Sequence, residues 1–302
     1  MNLEEIIENA RKAQEQYLKV NENPLELLEE IREYLNGNID LLDKTYEIDC
    51  GKKLYLTKLL KQLEIDYEVK SEPFINELGK GANMEVPYGV LGVISDSDVY
   101  KILRVIVLGI ITSNALIINI TKNVGTNFLI IKAVSEILTK YNVDNFIQIY
   151  NNKAGNVLEE NEIIDGIIYI GKKVDADRLK VASTKPVIYS GCGNYEIYIE
   201  DVLDENVLKE IVSNVNIRVY SKVGIGLGQE VSGLEEAIVK IQEYGSLYSA
   251  GIITESLENS QEFISKVKAR NVFVNASPFL IDDELDIEPK DLMYKKSILV
   301  YK

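Results

Sequence analysis

Cys50 and Cys192 are the only two cysteines among the 302 residues, and there is no histidine. Without an imidazole to take a proton or ligate a metal, Ser-His-Asp and Cys-His nucleophile activation and the usual histidine-containing zinc sites are excluded. Cys192 lies in Ser190-Gly191-Cys192-Gly193-Asn194. Glycines on both sides suit a tight turn at a strand end, which is where sites lie in α/β folds. Cys192 reads first as a small residue in that turn and second as a relocated nucleophile; Cys50 reads as buried packing. Lys122, Asn123 and Gly125 precede a helical segment from Thr126. Its first N–H groups can hold a phosphate, and capping by Thr126 explains the residues about as well. Gly224-Ile225-Gly226-Leu227-Gly228 spaces glycines as a phosphate loop does. With no clear strand before it and no helix directly after it, it reads as a splice. No acidic cluster has calcium-loop spacing, and no metal is expected.

These groups need elements to position them. Val90 to Ile94, Ala115 to Ile120 and Phe146 to Tyr150 are short apolar runs, and Asp98 to Ile111 and Thr126 to Tyr141 between them are helical in pattern. Apolar strands alternating with amphipathic helices predict βαβ units, a doubly wound parallel sheet covered on both faces, and a ligand at the carboxyl ends of the strands. Ile163 to Ile170 and Pro186 to Tyr189 continue the pattern with a polar helical stretch to Ala182 between them. Ahead of the sheet, Leu3, Ile6, Ile7, Ala10, Ala13 and Tyr17 mark a helix face. Asn23-Pro24-Leu25-Glu26 begins a second helix that ends near Asn36-Gly37. A third is expected over Asp49 to Asp66. Ser71 to Pro87 reads as irregular, becoming extended from Met84.

A hydrophobic content of 46% over this length suffices for a full core and two domains. The net charge of -15 argues against nucleic acid or an anionic membrane as partner, since both need clustered Lys and Arg. A small molecule or another protein is the expected partner. An acidic, amphipathic start reads as no signal peptide, and the apolar region Ile102 to Ile120 is interrupted at Thr112-Ser113-Asn114, so no membrane span is expected. A cytoplasmic protein follows.

Pro87-Tyr88-Gly89-Val90-Leu91-Gly92-Val93-Ile94 resembles the PxGVIGVI strand of the aldehyde dehydrogenase superfamily. The nearest branch by resemblance is gamma-glutamyl phosphate reductase. Leu234 to Ile238, Tyr244-Gly245-Ser246, Ser249 to Glu255, Val272 to Ser277 and Leu299 to Lys302 are similar, in order, to its LDEAI, RYGS, SxAIVTE, VYVNAS and LTTYK segments. The resemblance covers roughly the last three quarters of the chain. It implies an aldehyde-dehydrogenase-like α/β fold: residues 1–85 as the helical part of the first domain, 86–192 as a Rossmann-type nucleotide-binding core, 193–280 as a shortened catalytic-type α/β domain, and 281–302 as a C-terminal strand for oligomerisation. It implies NAD or NADP as cofactor, with Ser95, Lys122 and Gly171 at the cofactor edge; Asn275 and Ser277 either line the substrate cleft, as in relatives, or close a strand against the sheet, the two readings being about equal. It also implies a homodimer through Met84 to Tyr88 and Ser297 to Tyr301.

The departures from the family concern its chemistry. The family's cysteine thiolate attacks the carbonyl or acyl phosphate while hydride moves to or from a nicotinamide. It follows the helix that here spans Glu205 to Val215, yet Asn216 to Lys222 contains no cysteine. Ser221 lies near the lost position. The chain then runs almost directly to Leu234, as though much of the catalytic domain were deleted. Counted without gaps from Gly89-Val90 to Asn114-Ala115, Tyr100 takes the place of the amide that in the family stabilises the oxyanion, and Asn119 that of a basic residue at the cofactor's ribose. Asp282 to Glu288 is acidic where relatives carry FGLGAEIG. The expectation is a binding or assembly protein with weak or lost NAD(P) binding. The alternative is an active NAD(P)-dependent reductase of an acyl phosphate or aldehyde that uses Cys192.

Overall fold

In the computed structural model the described residues are 2–20, 23–65, 71–76, 79–95, 98–150, 163–191, 195–201, 208, 217–276 and 285–300. The chain forms two compact units. The first comprises Met1–Tyr169, Ala182–Ile188 and Ile287–Lys302; the second comprises Ile170–Val181 and Tyr189–Asp286. Among the described residues no helix is long and apolar enough to cross a membrane.

The first unit opens with α1 (Leu3–Val20), α2 (Pro24–Gly37), α3 (Ile39–Cys50) and α4 (Leu56–Lys61). As its sequence predicts, α2 starts with Asn23 accepting from the Leu25 N–H and Pro24 in the first turn. The helix expected over Asp49 to Asp66 is absent, because α3 ends at Gly51, whose φ of 68° is the left-handed conformation that closes helices. Only the short α4 follows. The stretch expected to be irregular is an antiparallel pair, β1 (Ser71–Asn76) with β2 (Gly79–Pro87).

The sheet of this unit contains β3 (Val90–Ser95), β4 (Ala115–Asn119), β5 (Ile147–Tyr150), β6 (Gly166–Ile170) and β7 (Val187–Ser190), in the order β5-β4-β3-β6-β7. The last residue of β6 and the last two of β7 belong to the second unit. Counted along the sheet the strands run third, second, first, fourth, fifth, the doubly wound order that reverses between β3 and β6. Helices α5 (Val99–Ile111) and α6 (Val124–Lys140) follow β3 and β4. Asp98 caps α5 by accepting from the N–H groups of Tyr100 and Lys101. Every residue of β4 is buried, as a strand covered on both faces requires.

The second unit carries α7 (Lys173–Ala182) and five strands: β8 (Tyr195–Ile199), β9 (Ile217–Lys222), β10 (Gln229–Val231), β11 (Ser249–Ile253) and β12 (Asn271–Val274). All pair parallel, in the order β10-β9-β8-β11-β12. Tyr198, Tyr220, Ala250 and Ile252 on one face share a core with Ala237, Ile238 and Ile241 of α8 (Leu234–Tyr244) and Phe263 of α9 (Leu257–Lys266). Parallel neighbours ordinarily need a crossover of about a dozen residues or more. Here only residues 223–228 join β9 to β10. Gly224, Gly226 and Gly228 make the short path possible with φ of 95°, 74° and 64°. The glycine-rich stretch is therefore a tight crossover with a strand on each side, which corrects the expectation that no clear strand precedes it.

The C-terminal β13 (Met293–Val300) belongs with the first unit because it pairs antiparallel with β2, Met293 opposite Pro87 and Val300 opposite Lys80. Asn114 reinforces the join, its Nδ2 donating to the Leu292 carbonyl at 2.9 Å.

Candidate functional site

Ser95 ends β3, and Lys122 lies exposed just beyond β4, whose Asn119 stands opposite Ile94. The register brings these two residues to the carboxyl ends of adjacent strands, where doubly wound sheets hold ligands. Gly171 follows β6, and its N–H donates to the Ser190 carbonyl at 3.1 Å. That amide is already engaged.

The amino end of α6 is engaged as well. Asp49 Oδ2 accepts from the Thr126 N–H at 2.8 Å and from Thr126 Oγ1 at 2.7 Å, and Asp49 Oδ1 accepts from the Gly125 N–H at 3.3 Å. A Cβ on Gly125 would come 2.9 Å from Thr45 Cγ2 and 3.2 Å from Asp49 Oδ1, so glycine is what lets α3 approach. An acid in the last turn of α3 opposes that helix's own dipole. The partly positive end of α6 accounts for its place there. Sequence reasoning missed Asp49 because its partner lies 77 residues away; an acid on the unfavourable end of a helix is the only local signal. A carboxylate already holds these donors, so a phosphate at this helix end would have to displace Asp49 first.

Tyr100, in the first turn of α5, is buried and accepts from the Tyr55 N–H at 3.0 Å through its phenolic oxygen. Its ring meets Tyr46 edge-on, with Lys58 5.0 Å from the ring centroid. Burial pushes the phenol above its usual range. Cys50, expected to be buried, is only partly so, and donates its thiol to the Tyr46 carbonyl at 3.2 Å in the last turn of α3. Cys192, Ser277, Gly193, Asn194 and all of Glu205 to Val215 except Leu208 lie outside the described residues.

In the second unit Ser221, near the end of β9, is fully buried and its hydroxyl has no partner among the described residues. Asn275 directs both ends of its amide to one backbone residue. Its Oδ1 accepts from the Thr254 N–H and its Nδ2 donates to the Thr254 carbonyl, each at 2.9 Å, at a φ of 51°. This clamp ties the end of β11 to that of β12. In the acidic stretch near the C-terminus Asp286 accepts from the Ser190 hydroxyl. Glu196 of β8 was not singled out by sequence, although a carboxylate inside the apolar run YEIYI is an audible signal. It is 3% exposed; Oε1 accepts from the Ser246 N–H at 3.2 Å and Oε2 has no partner among the described residues. Burial pushes its carboxyl up to about 7 against the opposing Ser246 N–H and the Arg218 charge. Among the described residues no group of three or more Cys, Asp and Glu could hold a metal ion.

No family model matches the chain. Its sequence is similar to curated gamma-glutamyl phosphate reductases. The one from Clostridium beijerinckii is 26% identical over 261 residues, covering 65% of this chain and 63% of that protein. The one from Alkaliphilus oremlandii is 26% identical over 266 residues, covering 67% and 64%. The chain thus spans less than two thirds of the length of these relatives. Among solved structures, gamma-glutamyl phosphate reductase from Thermotoga maritima matches with a TM-score of 0.63 at 17% identity, over 98% of each chain. A propionaldehyde dehydrogenase from Rhodopseudomonas palustris, with bound CoA and an acylated cysteine, matches at 0.71 and 10% identity, over 100% of this chain and 97% of that one. An engineered glycolyl-CoA reductase with bound NADP+ matches at 0.70 and 11%, over 100% and 97%. These likenesses carry the fold expected from the sequence, a Rossmann-type sheet with a shortened second α/β domain.

Proposed function

We propose that this member of the aldehyde dehydrogenase superfamily, a sequence relative of the gamma-glutamyl phosphate reductases, is a binding or assembly protein that does not run the family's thiol-dependent reaction. The observation that carries the reading is Ser221. It lies near the place of the family's cysteine, its hydroxyl is buried, and among the described residues no group accepts or donates a hydrogen bond to it. An unactivated serine hydroxyl is scarcely ionised at neutral pH and attacks poorly. Tyr100 supports the same reading, because a phenol held against Tyr55 stands where the family has an amide donor, and one such donor is typically worth about 100- to 1000-fold in rate.

A small molecule of the dinucleotide class is the nearest candidate ligand, at the carboxyl edge by Ser95 and Lys122, with affinity weakened by the chain's charge. A cytoplasmic setting is part of the proposal and rests on the cysteine-poor composition. The test is an assay of the purified protein with glutamate-5-semialdehyde, phosphate and NAD or NADP, following reduced cofactor by absorbance. No turnover above the protein-free rate is expected. Turnover on the order of 1 per second that disappears in Cys192→Ala would establish the reductase reading instead.

A further inference from the structure

Glu196 of β8 and Arg218 of β9 stand opposite each other in the parallel pairing of those strands. Their side chains leave the sheet on one face, the face on which Tyr198 and Tyr220 pack against α8. Both are engaged by the same short turn between α8 and β11. Arg218 Nη1 donates to the Tyr244 carbonyl at 2.7 Å, in an exposed hydrogen bond, and Glu196 Oε1 accepts from the Ser246 N–H at 3.2 Å. Glu196 Oε2 takes no hydrogen bond from Arg218 or from any other described residue.

The turn is packed closely on both sides. A Cβ on Gly245 would come 2.9 Å from Glu196 Cδ and 3.1 Å from Oε2. A Cβ on Gly191, just past the end of β7, would come 2.7 Å from Ser246 Cβ and 3.1 Å from the Ser246 carbonyl oxygen. Movement of the turn is therefore felt at Gly191. Around the carboxyl, Arg218 is the charge that works against burial. The other titratable groups on this side are Tyr198 on its own strand, Tyr220 on β9, and Tyr244, Glu243 and Lys240 on α8. The three phenols are all raised and stay neutral, Glu243 bonds the Tyr244 hydroxyl, and Lys240 pairs with Glu236. From β11, Ala250 stands opposite Glu196.

A neutral Glu196 leaves Arg218 to the Tyr244 carbonyl. An ionised one, almost fully buried, is beyond the reach of bulk water and is strongly destabilised until a cation pairs with it. Arg218 is that cation, and a guanidinium bond to a carboxylate is about twice as strong as one between neutral groups. The Tyr244 carbonyl, at an exposed site, then takes water instead.

We propose that Glu196 and Arg218 form a proton-operated latch on the turn between α8 and β11. With the carboxyl neutral, Arg218 holds the Tyr244 carbonyl and the last turn of α8 is closed. When the carboxyl ionises, the guanidinium crosses to Oε2 and the end of α8 loosens where it bears on Gly191. Burial pushes the carboxyl up to about 7, so the latch closes below neutral pH and opens above it.

The test is hydrogen exchange of the full-length chain between pH 6 and 8, read by mass spectrometry and corrected for the intrinsic rate. Protection over residues 241–246 should fall about tenfold across that range, the weight of one hydrogen bond lost at a helix end. Glu196→Gln keeps an acceptor for the Ser246 N–H and cannot ionise, so it should stay at the parent's pH 6 level throughout. Arg218→Ala, at an exposed side chain, should show the parent's pH 8 level at every pH. Flat protection in the parent, or a fall that survives in Glu196→Gln, overturns the latch. A fall in Arg218→Ala as large as the parent's would assign the effect to overall stability and overturn it too. If Glu196→Gln does not fold, the comparison of the parent with Arg218→Ala decides alone.

Discussion

Glu196 should make this protein less stable as pH rises through neutrality, by an amount the structure sets. Its carboxyl is pushed up to about 7 from an ordinary 4.5 because burial penalises the charged form. Between those values the unfolded chain has released the proton and the folded chain still holds it. Folding therefore takes up a proton in this window. The stability Glu196 contributes is fully present below about pH 4.5 and is lost as pH climbs through about 7. At about 1.4 kcal/mol per pKa unit the full difference is about 3 kcal/mol, of which about 2.5 kcal/mol falls between pH 5 and 8.

The chain gives this measurement an unusually quiet background. With no histidine, the α-amino group is the only other group whose ordinary pKa falls between 5 and 8. Urea unfolding followed by circular dichroism at pH 5, 6, 7 and 8 should show the parent's midpoint falling by about 1 M relative to Glu196→Gln. Glutamine keeps an oxygen for the Ser246 N–H and cannot ionise. A parent-minus-variant difference that stays flat across this range would refute the argument, because it would mean that the buried carboxyl titrates where an exposed one does.

Gly228→Ala should lose about 2 kcal/mol or more, since its φ is left-handed and a Cβ would meet the Val219 carbonyl. Gly226→Ala, with open space around it, should lose only about 1 kcal/mol. Equal losses in urea would mean that the crossover is not fixed by the Val219 contact. Asn275→Ala should destabilise by about 2 kcal/mol, and Asn275→Gly by less because glycine tolerates the positive φ; unchanged stability with altered ligand affinity would restore the cleft role. Full-length chain should scatter light as a homodimer at tens of micromolar, and truncation after Lys296 should dissociate it. β13 is an edge strand with Tyr294, Ile298 and Leu299 exposed, and it needs its whole length against β2 to be presented. A monomer, or a dimer indifferent to the cut, would refute this.

The parallel core was readable from the sequence because its signals are local. Val90 to Ile94 and Ala115 to Ile120 are apolar runs on consecutive strands that pair with each other in the sheet, and Asp98 and Asn23 cap helices that begin one residue later. What was misread lacked such signals. The end of α3 depends on one glycine's φ inside a pattern whose apolar stripe continues to Leu63. The β1–β2 pair is an antiparallel backbone register from Ser71 opposite Met84 to Asn76 opposite Gly79, which no apolar periodicity announces. The six-residue crossover escaped because the rule for parallel neighbours expects a longer connection, and three left-handed glycines are what exempt it.

The candidate site was less readable, for a physical reason. A polar group near the edge of a sheet is satisfied by water, by a ligand or by the chain itself, and only the third choice is invisible to short-range patterns. Here the chain supplies the partner repeatedly: Asp49 for the amino end of α6, Tyr55 for the phenol of Tyr100, Thr254 for Asn275 and Asp286 for Ser190. A ligand at any of these places must replace a hydrogen bond already made, about 1 kcal/mol net for a neutral pair and about 1.5 to 3 where a charge takes part. Resemblance identifies where a family's site lies, but these closures decide what can still enter it. Among the described residues the Ser221 hydroxyl, the Asn119 side-chain oxygen and one oxygen of Glu196 remain buried without a partner. At those atoms no bond must be broken first, so a substitution there reads out proton or ligand chemistry more directly than one at the closed positions.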